Sequence, residues 1–155
     1  MIQKKEAVVK RMAPAALSAI SAGVAIGLTF WYRRQPAASI IVNHGVAFGV
    51  GADVPRTAEI GVIIALAVLG LLYWRWQRMR YPLGMMLGGA IANAVSRILF
   101  GGVVDYWHVA PYPYVFNAAD VAIRLGLVWV LMSFWINRRQ TRPGTANDAP
   151  KVKES

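Results

Sequence analysis

Two aspartates, Asp105 and Asp120, are the residues whose type and placement point most directly to chemistry. Each stands at the edge of an apolar run, and one short segment joins them. Two carboxylates sharing a site cannot both ionise easily, so one pKa rises and the pair titrates as a unit. Such a pair can hold one proton between its members. The ionised member then takes a proton from water while the protonated one polarises a carbonyl, which is the chemistry of aspartic proteolysis. Each residue also has an ordinary reading. In Phe116-Asn-Ala-Ala-Asp120, Asn117 suits a helix N-cap with Asp120 as its partner one turn on, favoured by the helix dipole. Asp105, after Gly101-Gly-Val-Val, suits a loop beyond a helix end.

Other polar groups gather near the same boundary. Ionisable side chains beside hydrocarbon are expensive, which singles out Asp53, Glu59, Arg97 and Arg124. Arg124 lies four residues after Asp120, so it can reach that carboxylate on one helix face or snorkel to the interface. Asn43, Asn93 and Asn117 stand at or near the outer ends of their segments. Singly each is an ordinary cap or helix contact, but together with two aspartates they form a candidate polar support. His44 and His108 show no metal-binding spacing, and the chain has no cysteine, so neither metal nor cofactor is expected. There is no Gly-x-Ser-x-Gly motif and no phosphate-cradling loop.

The elements that must position these groups are apolar. The chain has 155 residues, 57% hydrophobic and 15% charged, against about 25% charged in a typical soluble domain. Its net charge of +10 comes from 17 basic and 7 acidic residues. The basic residues flank apolar runs, which fits membrane topology and not a nucleic-acid partner. Four runs stand out: Ala13–Phe30, Ile60–Trp74, Pro82–Phe100 and Ala118–Ile136. A spanning helix needs about 20 mainly apolar residues. The second run is shorter, with Trp74 and Trp76 as interfacial anchors. The first is read as a retained helix, because Trp31-Tyr-Arg-Arg34 follows where a signal cleavage site needs small residues.

Orientation follows from the basic residues of the N-terminus, the Arg75–Arg80 connection and the C-terminal tail. Together these hold 12 of the 17, which places both termini in the cytoplasm. Two connections then face outward. In the first, the β-prone Ala38–Asn43 precedes the glycine-rich His44–Gly51, which predicts a strand or hairpin at the membrane surface. The second carries Pro111 and Pro113 among Tyr106, Trp107, Tyr112 and Tyr114, aromatics suited to headgroup depth. The glycines of Gly84–Gly89 and Gly101–Gly102 are read as sites of close helix packing. The expected fold is therefore an all-α membrane protein: four transmembrane helices, a small extracytoplasmic β-element and an interfacial loop. Residues 1–137 form the transmembrane domain and 138–155 a disordered basic tail.

Four segments together resemble the bacterial lipoprotein signal peptidases, or signal peptidase II. They are Asn43-His-Gly-Val-Ala-Phe-Gly49, Gly88-Gly-Ala-Ile-Ala-Asn-Ala-Val-Ser-Arg97, Gly102-Val-Val-Asp-Tyr106 and Phe116-Asn-Ala-Ala-Asp-Val-Ala-Ile123. They occur in that family's order and cover about Asn43 to Gly126. The last two resemble the segments bearing the family's catalytic aspartates, so the resemblance implies that Asp105 and Asp120 are the dyad. Asn43, Asn93, Arg97 and Asn117 take the positions of its polar support. The implied activity is an aspartic endopeptidase that removes the signal peptide of a diacylglyceryl-modified prolipoprotein just before the lipidated cysteine. The implied setting is a monomer among the lipids of the bacterial inner membrane, with its active site at the outer face. The Tyr106–Tyr114 loop would close over the substrate.

The sequence also departs from that pattern. The family usually carries an Asp and a Lys towards the end of its first helix, and Ala13–Tyr32 contains neither. Its third-helix motif reads Gly-Asn-x-x-Asp-Arg, whereas this chain has Ala92-Asn-Ala-Val-Ser-Arg97. With Ser96 in place of the aspartate, Arg97 is expected to lose a partner and the dyad some of its polar shell. These departures define a second reading, a non-catalytic relative that binds lipopeptides or membrane partners through the same cleft. A third reading is a small proton-coupled transporter built on Asp120 and Arg124.

Overall fold

The computed structural model describes residues 2–36, 39–45, 57–111 and 113–140. It is mostly helical. Four helices run in chain order: α1 (Ile2–Arg33), α2 (Thr57–Arg75), α3 (Arg80–Phe100) and α4 (Ala118–Gln140). Among the described residues three stretches are long and apolar enough to cross a membrane: Met12–Arg33 in α1, Gln77–Phe100, which adds the short 3-10 turn before α3, and Ala118–Arg138 in α4. The expected runs all fall within helices, and the helices extend past them. The largest extension is in α1, which continues through the basic N-terminal residues and keeps Pro14 within it. Large apolar side chains such as Ile63, Ile98 and Leu131 stay exposed on the outside of the bundle, the surface a lipid solvent leaves uncovered.

α3 is the central helix, packed against α1, α2 and α4. Its glycines explain how closely its neighbours come. A Cβ on Gly88 would run into the Ser21 hydroxyl and the Ser18 carbonyl of α1. On the next residue, a Cβ on Gly89 would stand 2.6 Å from the Ala119 carbonyl of α4. Without a hydrophobic driving force in lipid, such backbone approach is what gives helices their packing energy. Part of the close-packing reading needs correcting at Gly101, which caps α3 in the left-handed region at φ 73°. It ends the helix, a task glycine performs without a Cβ penalty.

Among the described residues, two small antiparallel sheets hang from the ends of α1, α3 and α4. The β-branched run before Asn43 does form a strand, β1 (Ile41–Asn43). It pairs with β2 (Val103–Asp105) in the register Ile41 to Asp105 and Asn43 to Val103. The segment expected as an interfacial loop instead folds into a second ribbon. In it β3 (Trp107–His108) pairs with β4 (Val115–Phe116), and Trp107 packs edge-on against Phe116 at 6.1 Å. Tyr106 also departs from the headgroup reading, because it is 7% exposed and points into the protein. The glycine-rich 46–51, Asp53, Tyr112 and the tail from 141 onward lie outside the described residues.

Candidate active site

Asp105 is delivered by a chain of local constraints. α3 stops at Gly101, and the backbone turns directly into β2. Ser96, one turn before the end of α3, clamps that turn. Its hydroxyl donates to the Gly102 carbonyl at 3.1 Å and accepts from the Val104 amide at 3.1 Å. Pairing with β1 fixes the strand's other side, leaving Val104 fully covered and Asp105 3% exposed. Burial, and then the charge of Asp120, push the Asp105 carboxyl from 3.8 up to about 6. Hydrogen bonds from the Asn117 and Asn43 side chains, and the positive charge of Arg97, pull the other way without cancelling the rise.

Asp120 is positioned by the start of α4. The Asp120 amide donates to Asn117 Oδ1 at 3.0 Å, and the Asn117 amide donates back to Asp120 Oδ2 at 3.3 Å. This is the reciprocal cap that the ordinary reading of these residues expects, satisfying amides that a helix start leaves without partners. The cap occupies one carboxylate oxygen and leaves the other directed at the bundle. There Asn93 Nδ2 donates to Asp120 Oδ1 at 3.1 Å.

Asn117 and Asn93 then link the two aspartates. Asn117 Nδ2 donates to Asp105 Oδ1 at 2.7 Å and also reaches Asn93 Oδ1 at 3.2 Å. The path from Asp105 through Asn117 and Asn93 to Asp120 is thus hydrogen-bonded at every step. An amide carries both donor and acceptor, so two of them can join two carboxylates without adding charge. Asn117 is 2% exposed, so its bonds form largely out of competition with water.

Arg97 has partners in place of the expected carboxylate. Its guanidinium donates to the Gly45 carbonyl and, at 3.5 Å, to the His44 carbonyl. The His44 ring in turn lies 3.0 Å from the Gly101 carbonyl through Nδ1. Arg97 therefore anchors the segment after β1 to α3 and keeps Asn43 beside Asp105. Ser96 likewise does more than mark an absence, since it holds the turn that carries Asp105. A hydroxyl can donate to a carbonyl and accept from an amide at once, whereas an ionised carboxylate only accepts.

These groups open on one cavity of about 640 Å³, lined by Asn43, Asn93, Arg97, Asp105, Asp120 and Arg124, with α2 and α3 giving small residues such as Gly61, Ala65 and Ala90. Asn117 stands behind the lining and bonds to both aspartates. Arg124 places its guanidinium 5.5 Å from the Phe116 ring centre, at the end of β4. Among the described residues no group of three metal-ligating side chains comes together.

The signal peptidase (SPase) II family profile matches residues 37–136 of this chain. The chain belongs to the signal peptidase II family. It is 39% identical over 97 residues to the lipoprotein signal peptidase of Sulfurimonas denitrificans, covering 60% of this chain and 63% of that protein. It is 33% identical over 125 residues to that of Cyanothece sp., covering 72% and 70%. The match thus spans less than two thirds of the Sulfurimonas protein. The fold is similar to that of a bacterial membrane enzyme solved by the in meso method at 2.3 Å, with a TM-score of 0.72 and 17% identity, covering 92% of this chain and 94% of that one. A second such structure, at 1.9 Å, gives 0.66 and 18%, covering 79% and 92%. With its apolar spans, the chain is a multi-pass membrane protein of this family.

Proposed function

We propose that this chain is an aspartic endopeptidase that removes signal peptides from diacylglyceryl-modified prolipoproteins, with Asp105 and Asp120 as its dyad. The observation that carries the reading is the amide-bridged pair of aspartates on one cavity wall. Family membership supports the substrate class, since the relatives are lipoprotein signal peptidases.

The two carboxyls have different surroundings and take different parts. Asp105, buried and pushed up to about 6, holds the shared proton below that pH, and this protonated form is the reactive one. Asp120 lies at the start of α4 with both oxygens accepting N–H donors, and it takes the part of general base. In the proposed reaction a water between them gives a proton to Asp120 while its oxygen attacks the carbonyl carbon before the lipidated cysteine. Asp105 gives its proton to the carbonyl oxygen, forming a neutral gem-diol. On collapse, the C–N bond breaks, Asp120 returns its proton to the leaving amine and Asp105 recovers one from the gem-diol. The dyad is then as it began.

All four helices span the inner membrane in this reading, both termini lie in the cytoplasm and the cavity opens at the outer face. There the acyl chains of the substrate stay in the lipid while its peptide enters beside β1 and β4. The test is to incubate purified protein with a diacylglyceryl-cysteine prolipoprotein and follow release of the signal peptide. Cleavage before the cysteine supports a peptidase. Saturable lipopeptide binding with no product over long incubation would support the non-catalytic reading instead.

A further inference from the structure

One buried titratable side chain has no part in the reaction as described. Tyr106 directly follows Asp105, so an anchor on Tyr106 is also an anchor on the Asp105 backbone. Its Oη accepts from the Ala118 amide at 3.1 Å, in the first turn of α4 and two residues before Asp120. The side chain of Thr29, on α1, is its second hydrogen-bond partner. The Thr29 hydroxyl also lies 3.0 Å from the Ala25 carbonyl one turn back on α1, to which it donates. The Tyr106 hydroxyl thus sits between α4, through the Ala118 amide, and α1, through Thr29.

The ring is held as firmly as the hydroxyl. It stacks on Tyr32 with centroids 4.2 Å apart and planes 12° from parallel, and the Tyr106 amide donates to the Phe116 carbonyl at 3.2 Å. Tyr32 is fixed in turn by the Trp107 indole, which donates to its hydroxyl at 2.8 Å. Alongside the Asn117–Asp105 bond and the Tyr106–Phe116 backbone bond, the hydroxyl of Tyr106 ties the residue beside Asp105 to the first turn of α4.

We propose that Tyr106 is a positioning residue of the dyad: its hydroxyl, held between the Ala118 amide and Thr29, fixes the start of α4, and with it Asp120, against the strand that carries Asp105. This rests on the dyad reading of the site. Displacing a reacting group by about 1 Å can cost on the order of 100-fold in rate, so a tie of this kind acts on turnover more than on binding.

The test uses the full-length protein with Tyr106→Phe, Thr29→Val and Thr29→Ser, and Asp105→Asn and Asp120→Asn as controls. Tyr106→Phe keeps the stacked ring and removes only the hydroxyl. Its kcat should fall roughly 10- to 100-fold with KM nearly unchanged. Thr29→Val should move kcat the same way, and Thr29→Ser should restore it. A readout independent of cleavage is the titration of the Asp105 carboxyl by carbon-13 NMR. The charged groups facing Asp105 are Asp120 on α4 and Arg97 on α3, and the hydroxyl ties only the first of them. Loosening it should weaken the Asp120 repulsion and move the Asp105 titration to lower pH.

Wild-type kcat and an unmoved titration in Tyr106→Phe would overturn the proposal. So would a variant whose only change is lower thermal stability. Should the Asp→Asn controls cleave normally, the dyad reading fails, and the titration in Tyr106→Phe alone decides whether Tyr106 positions the two carboxylates.

Discussion

Replacing Asp105 by asparagine should stabilise this protein at neutral pH, because the wild-type residue ionises in a place that disfavours charge. In the unfolded chain its carboxyl titrates near 3.8, and in the folded protein near 6. Below pH 3.8 it is protonated in both states and ionisation has no effect on stability. Between the two values the unfolded chain has released its proton while the folded protein still holds it, so stability falls as pH rises. Above about 6 the full loss is present, about 3 kcal/mol at 1.36 kcal/mol for each pKa unit. An asparagine never ionises, and its Oδ1 can still accept from Asn117 Nδ2, the 2.7 Å bond of the wild type. Asp105→Asn should therefore gain about 3 kcal/mol above neutrality and almost nothing near pH 4. Unfolding midpoints of both proteins in detergent micelles, taken from about pH 4 to about pH 8, measure this directly. A gain that is equally large at both ends of that range would refute the reasoning, as would no gain at neutral pH.

Three further outcomes follow from the same geometry. Ser96→Ala leaves the Gly102 carbonyl and the Val104 amide without their buried partner and should destabilise the fold by about 1–3 kcal/mol in chemical unfolding. Asn117→Ala removes the α4 cap, at about 1 kcal/mol, and also a bond that favours ionised Asp105, so the Asp105 titration should move further up by NMR. Gly88→Leu puts a side chain where Ser18 and Ser21 of α1 already lie. It should cut the yield of monodisperse protein on gel filtration, while Leu on the exposed side of α3, at Ile98, should leave it unchanged.

How much of this could be read from the residues depends on the range of the forces involved. Helices α2, α3 and α4 are composition written along the chain, so their apolar runs found them to within a few residues. The cap at Asn117 and Asp120 is equally local, and its spacing announced it. The gathering of Asn43, Asn93, Arg97, Asp105 and Asp120 on one cavity was legible only through motif context, because β1 and β2 are distant in the chain: even the His44–Gly101 contact beside them joins residues 57 positions apart. Ser96 and Tyr106 were not legible in their actual parts. Ser96 looked like a missing carboxylate, since nothing in a serine's neighbours reveals that it bridges two backbone groups of a turn. Tyr106 looked interfacial because it shares a loop with Trp107 and Tyr114, and its burial depends on Thr29 and Tyr32 at the far end of the chain. A signal did exist in part: a tyrosine flanking a boundary aspartate has a hydroxyl that, once buried, must find a partner.

The central claim is that Asp105 and Asp120 together hydrolyse the bond before a lipidated cysteine. Single-turnover cleavage of a diacylglyceryl-cysteine prolipoprotein by wild type, Asp105→Asn and Asp120→Asn, with products identified by mass spectrometry, tests it most directly. The wild type should release a signal peptide cut before the cysteine, and neither variant should give product. Product from either variant at the wild-type rate would contradict it.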